Sequence, residues 1–555
     1  MASNNLSGVV KLDTFLELKN LEFLRLSNNK LSVLSKTSPN ASPPRLIKLR
    51  LVSRNLTSFP DFLRNQEGLQ ILDLSFNHLH GLIPKWLWEM SKKTLLLINL
   101  SHNSLTSFEE PPLILPCTNL IRLNIGNNML RGSLPIPPLS TVIYLVSNNS
   151  LEGEISPLLC NVSFLQVLDV SYNNLSGMIP QCFTNFRKSL AILDLYANNF
   201  SGPIPRIWRS GNKLHLINLG RNKFYGQVPR SIARCTLLQY LDLGDNQIQD
   251  TFPSWLGVLQ NLRVLILRSN GFHGTIGAPR SDSVFPELHI IDLSSNMFTG
   301  LLPSKYFKIW NAMRNLSAES LTYMHFISTV FAVEYNYKYR MVYNYSMTLT
   351  NKGVRTKFTQ VSEVFTVIDF SCNRFQGEIP DSIGNLKGLQ VLNLSNNLLV
   401  GQIPLVIGSL SKLEALDLSC NKLVGRIPWQ LKQLNILAVF NVSHNHLTGP
   451  IPQGGQFNTF ESSSFDGNLG LCGNLLSIKC EDSEASSPSS STSEEHEDLV
   501  PISHFGWKVV LMGYGFVMVI GVIISQITIK RKPHWFIKIF GVKQWKRPIK
   551  SVARW

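Results

Sequence analysis

The sequence predicts an α/β solenoid whose short parallel strands stack into one concave sheet, and three observations predict it. A 24-residue sentence, LQVLNLSNNLLVGQIPLVIGSLSK over residues 389–412, is followed at once by LEALDLSCNKLVGRIPWQLKQLN. Within it Leu392-Asn393-Leu394 alternates apolar, polar, apolar, the period-two pattern of a short strand. An asparagine then recurs at a fixed offset. Its carboxamide has two donors and an acceptor for the backbone groups that a turn away from a sheet strips of partners. Gly401 permits a turn most residues avoid, and Pro404 cannot donate to a ladder and so ends regular pairing. One such unit cannot bury its own leucines, so a period in the twenties implies a stack with a continuous core.

This is a leucine-rich repeat, and its asparagine gives the register. The position is filled at Asn4, Asn29, Arg54 (a substitution), Asn77, Asn103, Asn128, Asn149, Asn173, Asn198, Asn222, Asn246, Asn270 and Asn296, then at Asn373, Asn397, Asn421 and Asn445. Seventeen units follow, spaced by 21 to 26 residues except for one interval of 77 between Asn296 and Asn373. The expected organisation is repeats over residues 1–303, an island insertion over 304–365, four repeats over 366–457 and a C-terminal cap over 458–480. The island lacks the leucine period but holds Tyr323, Phe326, Phe331, Tyr335, Tyr337, Tyr339, Tyr343 and Tyr345. Tyrosines suit a recognition surface, and they equally suit packing the island onto the solenoid.

Beyond the cap, residues 481–500 carry seven acids and no Lys or Arg, an acidic Ser-rich linker without core-forming residues. Residues 507–529 hold one charge, Lys508, over a length that as helix spans a bilayer's hydrocarbon core. The basic residues of the 530–555 tail then place the C-terminus in the cytosol. At the other end the chain opens as MASNNLSGVVKL, already inside a repeat and without a leader or an N-terminal cap, so it is expected to be truncated.

Cys472 and Cys480 close on each other within the cap, and Cys160 and Cys182, nearly one period apart, are brought together by adjacent coils. Cys372 and Cys420 lie two repeats apart, beyond bridging distance, and are expected to fill the wall as small side chains. Cys117 and Cys235 have no assignment. Twelve N-x-S/T triplets occur: Asn5, Asn40, Asn55, Asn99, Asn148, Asn161, Asn174, Asn199, Asn315, Asn344, Asn393 and Asn441. Taken with the span they indicate a glycosylated, oxidising exterior.

No enzyme is written here. The recurrent Asp73, Asp169, Asp194, Asp242, Asp292, Asp369 and Asp417 occupy one strand position, so they belong to the repeat and form no catalytic pair. His444 and His446 lack partners at metal spacing, the short tail has no kinase motifs, and no cofactor is implied. The ectodomain is basic, which favours acidic partners; an exterior location excludes nucleic acid. Candidate ligand contacts are residues that break the strand habit or decorate the island: Arg25, Arg50, Arg263, Arg268, Tyr343 and Tyr345. The bland reading of the arginines is solvated charge.

The repeats of LxLSxNxLxGxIP type, the island ending YNYSMTLTNKG, the four repeats after it, the Cys472/Cys480 cap, the acidic linker, the span and the short basic tail together resemble the plant leucine-rich-repeat receptor-like proteins, the disease-resistance type without a kinase domain. The resemblance implies a single-pass type I plasma-membrane receptor with an extracellular N-terminus. It would bind a peptide, protein or glycan ligand and signal through a partner receptor kinase, as adaptor or co-receptor, in defence. Other expectations are a developmental receptor-like protein, an inhibitor of cell-wall-degrading enzymes acting through a basic concave face, and a truncated, non-functional remnant.

Overall fold

The computed structural model describes residues 7–27, 30–34, 43–110, 114–315, 322–332, 337–351, 354–476, 478 and 480. Asn4, Asn5, Asn29, Asn40 and Tyr335, the acidic linker 481–500, the span 507–529 and the tail 530–555 lie outside them. Among the described residues no helix is long and apolar enough to cross a membrane.

Three-residue strands from Phe23–Arg25 to Val439–Asn441 form one sixteen-stranded parallel sheet, each strand pairing residue for residue with the repeat before and after. The middle residue of each strand points into the coil: Leu24, Leu49, Leu392 and Leu416 are at most 4% exposed. The flanking two face the concave surface. Full burial stabilises each such side chain by about 1.5–3 kcal/mol. The opposite wall consists of five-residue 3-10 turns such as Asp381–Asn385, Leu405–Ser409 and Trp429–Gln433, each preceded by a proline at the N-cap, Pro380, Pro404 and Pro428. Between strand and turn, segments such as Arg374–Glu378 and Leu398–Val400 pair into smaller parallel sheets that the period alone did not announce.

The asparagine ladder does what its chemistry requires. Asn421 Nδ2 donates to the carbonyls of Leu418 and Ser419 in its own turn and of Leu394 one repeat back, while its Oδ1 accepts the Leu399 amide at 3.0 Å. The recurrent strand Asp or Asn has a second job: Asp369 Oδ1 accepts from both the amide and the hydroxyl of Ser371, at 3.0 and 2.6 Å, turning the chain out of the strand. Between these two residues the backbone enters the left-handed region with no glycine present. Phe76, Tyr172, Arg221 and His444 have φ of 55°, 53°, 55° and 54°. Cys372 and Cys420 occupy this same edge position, exposed and half-exposed, so the expectation that they fill the wall is corrected: the turn aims them outward. Cys117 and Cys235 are the buried fillers, their thiols pushed up to about 12 by burial. Disulfides join Cys160 to Cys182 and Cys472 to Cys480.

The stack extends one rung beyond the last asparagine the period identifies. Inside the cap Asn468 donates to the carbonyls of Phe465 and Val442 and accepts the Leu447 amide, and Gly470–Cys472 pairs with His446–Pro450. At the other irregularity, Arg54 is fully buried where an asparagine belongs, and Asn77 Oδ1 accepts the Arg54 amide in addition to the Leu56 amide that the ladder regularly supplies.

Candidate functional site: the concave face and its insertion

The insertion begins later than the lost period suggests. Ser304–Phe307 and Asn311–Arg314 are helical turns that bury Tyr306, Phe307, Trp310 and Met313 in the solenoid core, completing the repeat of Asn296. The island that follows is two antiparallel hairpins, His325–Ala332 with Tyr337–Asn344 and Met347–Asn351 with Val354–Phe358.

These hairpins cover the concave face. Met324, Met341, Tyr345, Met347 and Leu349 form one apolar cluster with concave-face residues of the sheet, among them Val167, Ile192, Leu216, Tyr240, Val264 and Ile290. Polar ties run along the same interface. Ser328 Oγ donates to Gln166 Oε1 at 2.8 Å, and Tyr345 Oη donates to Gln239 Oε1 at 3.1 Å. Tyr343 Oη lies 3.3 Å from an Asp169 carboxylate oxygen and 3.1 Å from one of Asp194. Lys357 stands 3.9 Å over the Tyr172 ring, and Arg263 pairs with Glu363 of the island at 3.4 Å. Arg268, 4% exposed, donates to the Thr348 carbonyl at 2.5 Å and faces Asp245 at 3.1 Å and Asp292 at 3.6 Å.

Four of the six sequence-nominated contacts are therefore engaged inside the molecule. Arg268 and Tyr345 are corrected outright: at 4% and 0% exposed they offer a ligand no surface in this conformation. Tyr343 and Arg263, partly buried, spend their polar groups on the island interface. For these tyrosines packing is the observed role. Arg25 is exposed and Arg50 half-exposed, on neighbouring strands where Arg25 pairs in register with Arg50 and Arg50 with Asp73. Among the described residues neither forms an ion pair. Arg122, which sequence reasoning passed over, lies half-buried two strands beyond Asp73; burial lowers its pKa first, Asp73 raises it and Arg50 lowers it. Its signal was a charge at a strand position that mostly holds Ile, Val or Leu, Lys48 being the other charge there.

Burial also marks the covered acids. Asp242 is raised to about 6, chiefly by desolvation, although Arg268 pulls it back; Asp369 is raised to about 7 by desolvation and then by Asp292. Among the described residues no group of His, Cys, Asp and Glu is arranged to hold a metal ion.

Ten of the twelve N-x-S/T asparagines are described. Asn55, Asn148, Asn161, Asn174, Asn315 and Asn344 are exposed, and Asn199 is half-exposed. Asn99, Asn393 and Asn441 sit in concave strands with their Oδ1 occupied by a neighbouring backbone amide or hydroxyl. On the side of the last repeats an open groove is lined by Leu405, Arg426, Trp429 and Lys432, with Trp429 64% exposed.

Family models described as leucine-rich repeat match residues 365–423 and, separately, 68–90, 164–186 and 237–259. The chain is 41% identical over 542 residues to receptor-like protein 53 of Arabidopsis thaliana, covering 96% of this chain and 52% of the relative. It is 43% identical over 527 residues to receptor-like protein 54 of the same plant, covering 95% and 65%. It thus spans between about half and two thirds of the length of these relatives. Among solved structures, the Arabidopsis receptor kinase HAESA with the peptide hormone IDA and the co-receptor SERK1 is 27% identical with a TM-score of 0.57, covering 86% of this chain and 78% of that one. HAESA's ectodomain with an N-terminally extended IDA peptide is 26% identical with a TM-score of 0.60, covering 86% and 74%.

Proposed function

We propose, from the premise that this chain is a leucine-rich-repeat homologue of the plant receptor-like proteins, that it is the recognition part of a cell-surface receptor with no catalytic activity of its own. The relatives matched over nearly the whole chain carry the name receptor-like protein, and on this reading the chain is not an enzyme. The observation that carries the reading is the division of one continuous concave sheet. Its middle is occupied by the island, while Arg25 and Arg50 stay uncovered at one end.

An extracellular ligand, peptide, protein or glycan, lies on that uncovered stretch against the island's edge. Peptide recognition is supported by the HAESA complexes, which hold a peptide hormone on a related solenoid. Signal passes through a partner receptor kinase, with the Leu405/Trp429 groove as the docking face and residues 507–529 as the single plasma-membrane span. Exposed Asn148, Asn161 and Asn174 carry glycans, and the role is in defence.

Co-purification of the full chain from plant membranes, with and without elicitor, tests this. A receptor kinase should be recovered, and Trp429→Glu should weaken its recovery at least tenfold. Kinase-free preparations under both conditions would sink the signalling part. Inhibition of a pectin-degrading enzyme by the same chain would favour the inhibitor reading instead.

A further inference from the structure

Asp169 and Asp194 pair in register on adjacent strands and are 9% and 4% exposed. In each, Oδ1 is already used. Asp169 Oδ1 accepts the amide and hydroxyl of Ser171 at 3.0 and 2.6 Å, and Asp194 Oδ1 accepts the Tyr196 amide at 3.1 Å. The side chains of Ser147 and Asn218 also reach this pair. Both Oδ2 atoms face the same group, Tyr343 Oη on the island. A phenol has one hydrogen and satisfies one carboxylate. The second contact, between two oxygens about 3 Å apart, needs a hydrogen of its own, and the source the geometry leaves is a protonated carboxyl donating to the phenol oxygen.

The surrounding charges do not relieve the pair. On the sheet side Arg268 is held by Asp245 and Asp292, and Asp242 adds a further acid along the ladder. Arg221 is the other sheet cation near Tyr172, whose hydroxyl, like that of Tyr196, meets Thr348 of the island. From the island the cation is Lys357, which sits over the Tyr172 ring and lines the same cleft as Asp194.

We propose that the island is a proton-set lid on the concave face: Asp169 and Asp194 hold one shared proton while Tyr343 is seated between them, and the lid loosens as that proton is lost. This goes beyond the receptor reading and does not depend on any ligand. Burial and then the neighbouring Asp169 push Asp194 up to about 8, and burial raises Asp169 as well. When the lid lifts, water reaches both groups and they return towards the ordinary aspartate value near 3.9. The docked state therefore keeps a proton that the open state releases. Docking is strongest below about pH 4, weakens by about tenfold per pH unit as pH rises, and levels off above about 8.

Hydrogen exchange on the full chain from about pH 5 to about pH 8.5, corrected for intrinsic exchange, tests the lid. The readout is the protection of the hairpin His325–Ala332/Tyr337–Asn344 relative to the strand Ala415–Asp417, which lies outside the island's polar contacts. Hairpin protection should fall by about tenfold per pH unit up to about 8, consistent with one proton linked to opening. Asp194→Asn and Asp169→Asn should each abolish the slope, whereas Asp417→Asn should leave it intact. Asparagine already occupies this position at Asn218, so the fold accepts the change. In a chain tethered by Gln166→Cys and Ser328→Cys, protection should stay high at every pH. A flat profile in the unmodified chain overturns the proposal. So does a slope that survives both asparagine substitutions, or one that persists in the tethered chain.

Discussion

Two stretches of the same concave sheet have opposite fates. At Phe23–Arg25 and Lys48–Arg50 the outward strand residues meet solvent, and Arg25 and Arg50 stand in register without an ion pair among the described residues. From Val167–Asp169 to Ile290–Asp292 the same positions lie beneath the hairpins, with Asp194, Asp242 and Asp292 at most 4% exposed. Backbone, register and core leucines are the same in both. What differs is a segment inserted after Asn296 that folds back over repeats well before it. A charged residue's job on this scaffold is therefore decided less by its own repeat than by what lies across it.

Truncating arginines in the two stretches should separate them most widely. Arg268→Ala removes the cation facing the buried Asp292 and should cost about 3–5 kcal/mol, read as a lower denaturant midpoint. Tyr345→Ala, at a fully buried aromatic against Tyr240, should cost about 3–4 kcal/mol of island docking, read as faster exchange in the hairpins with the sheet unchanged. Arg263→Ala breaks a partly exposed pair with Glu363 and should cost about 0.2–1 kcal/mol. Arg25→Ala should shift stability by no more than about 0.5 kcal/mol in thermal melts while altering binding of an acidic ligand. If Arg25→Ala destabilised the chain as much as Arg268→Ala, the contrast between bare and covered stretches would collapse.

The solenoid was legible because each feature of the repeat answers a backbone need that returns every turn. Asn421 shows it, with one carboxamide meeting three carbonyls and an amide at positions set by the coil. The extra rung at Asn468 was missed because the cap sequence FDGNLGLCG keeps the asparagine but replaces the leucines that announce a strand. Where the island lies was not legible at all. Tyr343 meets Asp169 and Asp194 across 174 and 149 residues, and no local period encodes such a contact. Arg268 falls between these cases. Its acidic neighbours could have been inferred from the register, since Asp245 and Asp292 flank it on adjacent repeats, but its burial depends on the island.

The hairpins also change how the coil should come apart. A stack of repeats, each touching only its neighbours, behaves like a one-dimensional chain that can fray from either end and melt in segments. Here Ser328 bonds Gln166 while the chain on both sides of the island re-enters the sheet between Ile290–Asp292 and Val367–Asp369. The island is thus a strap from one rung to several others far along the stack, so those rungs cannot melt independently while it holds. Cooperativity should be highest in the strapped middle, leaving the ends to fray first.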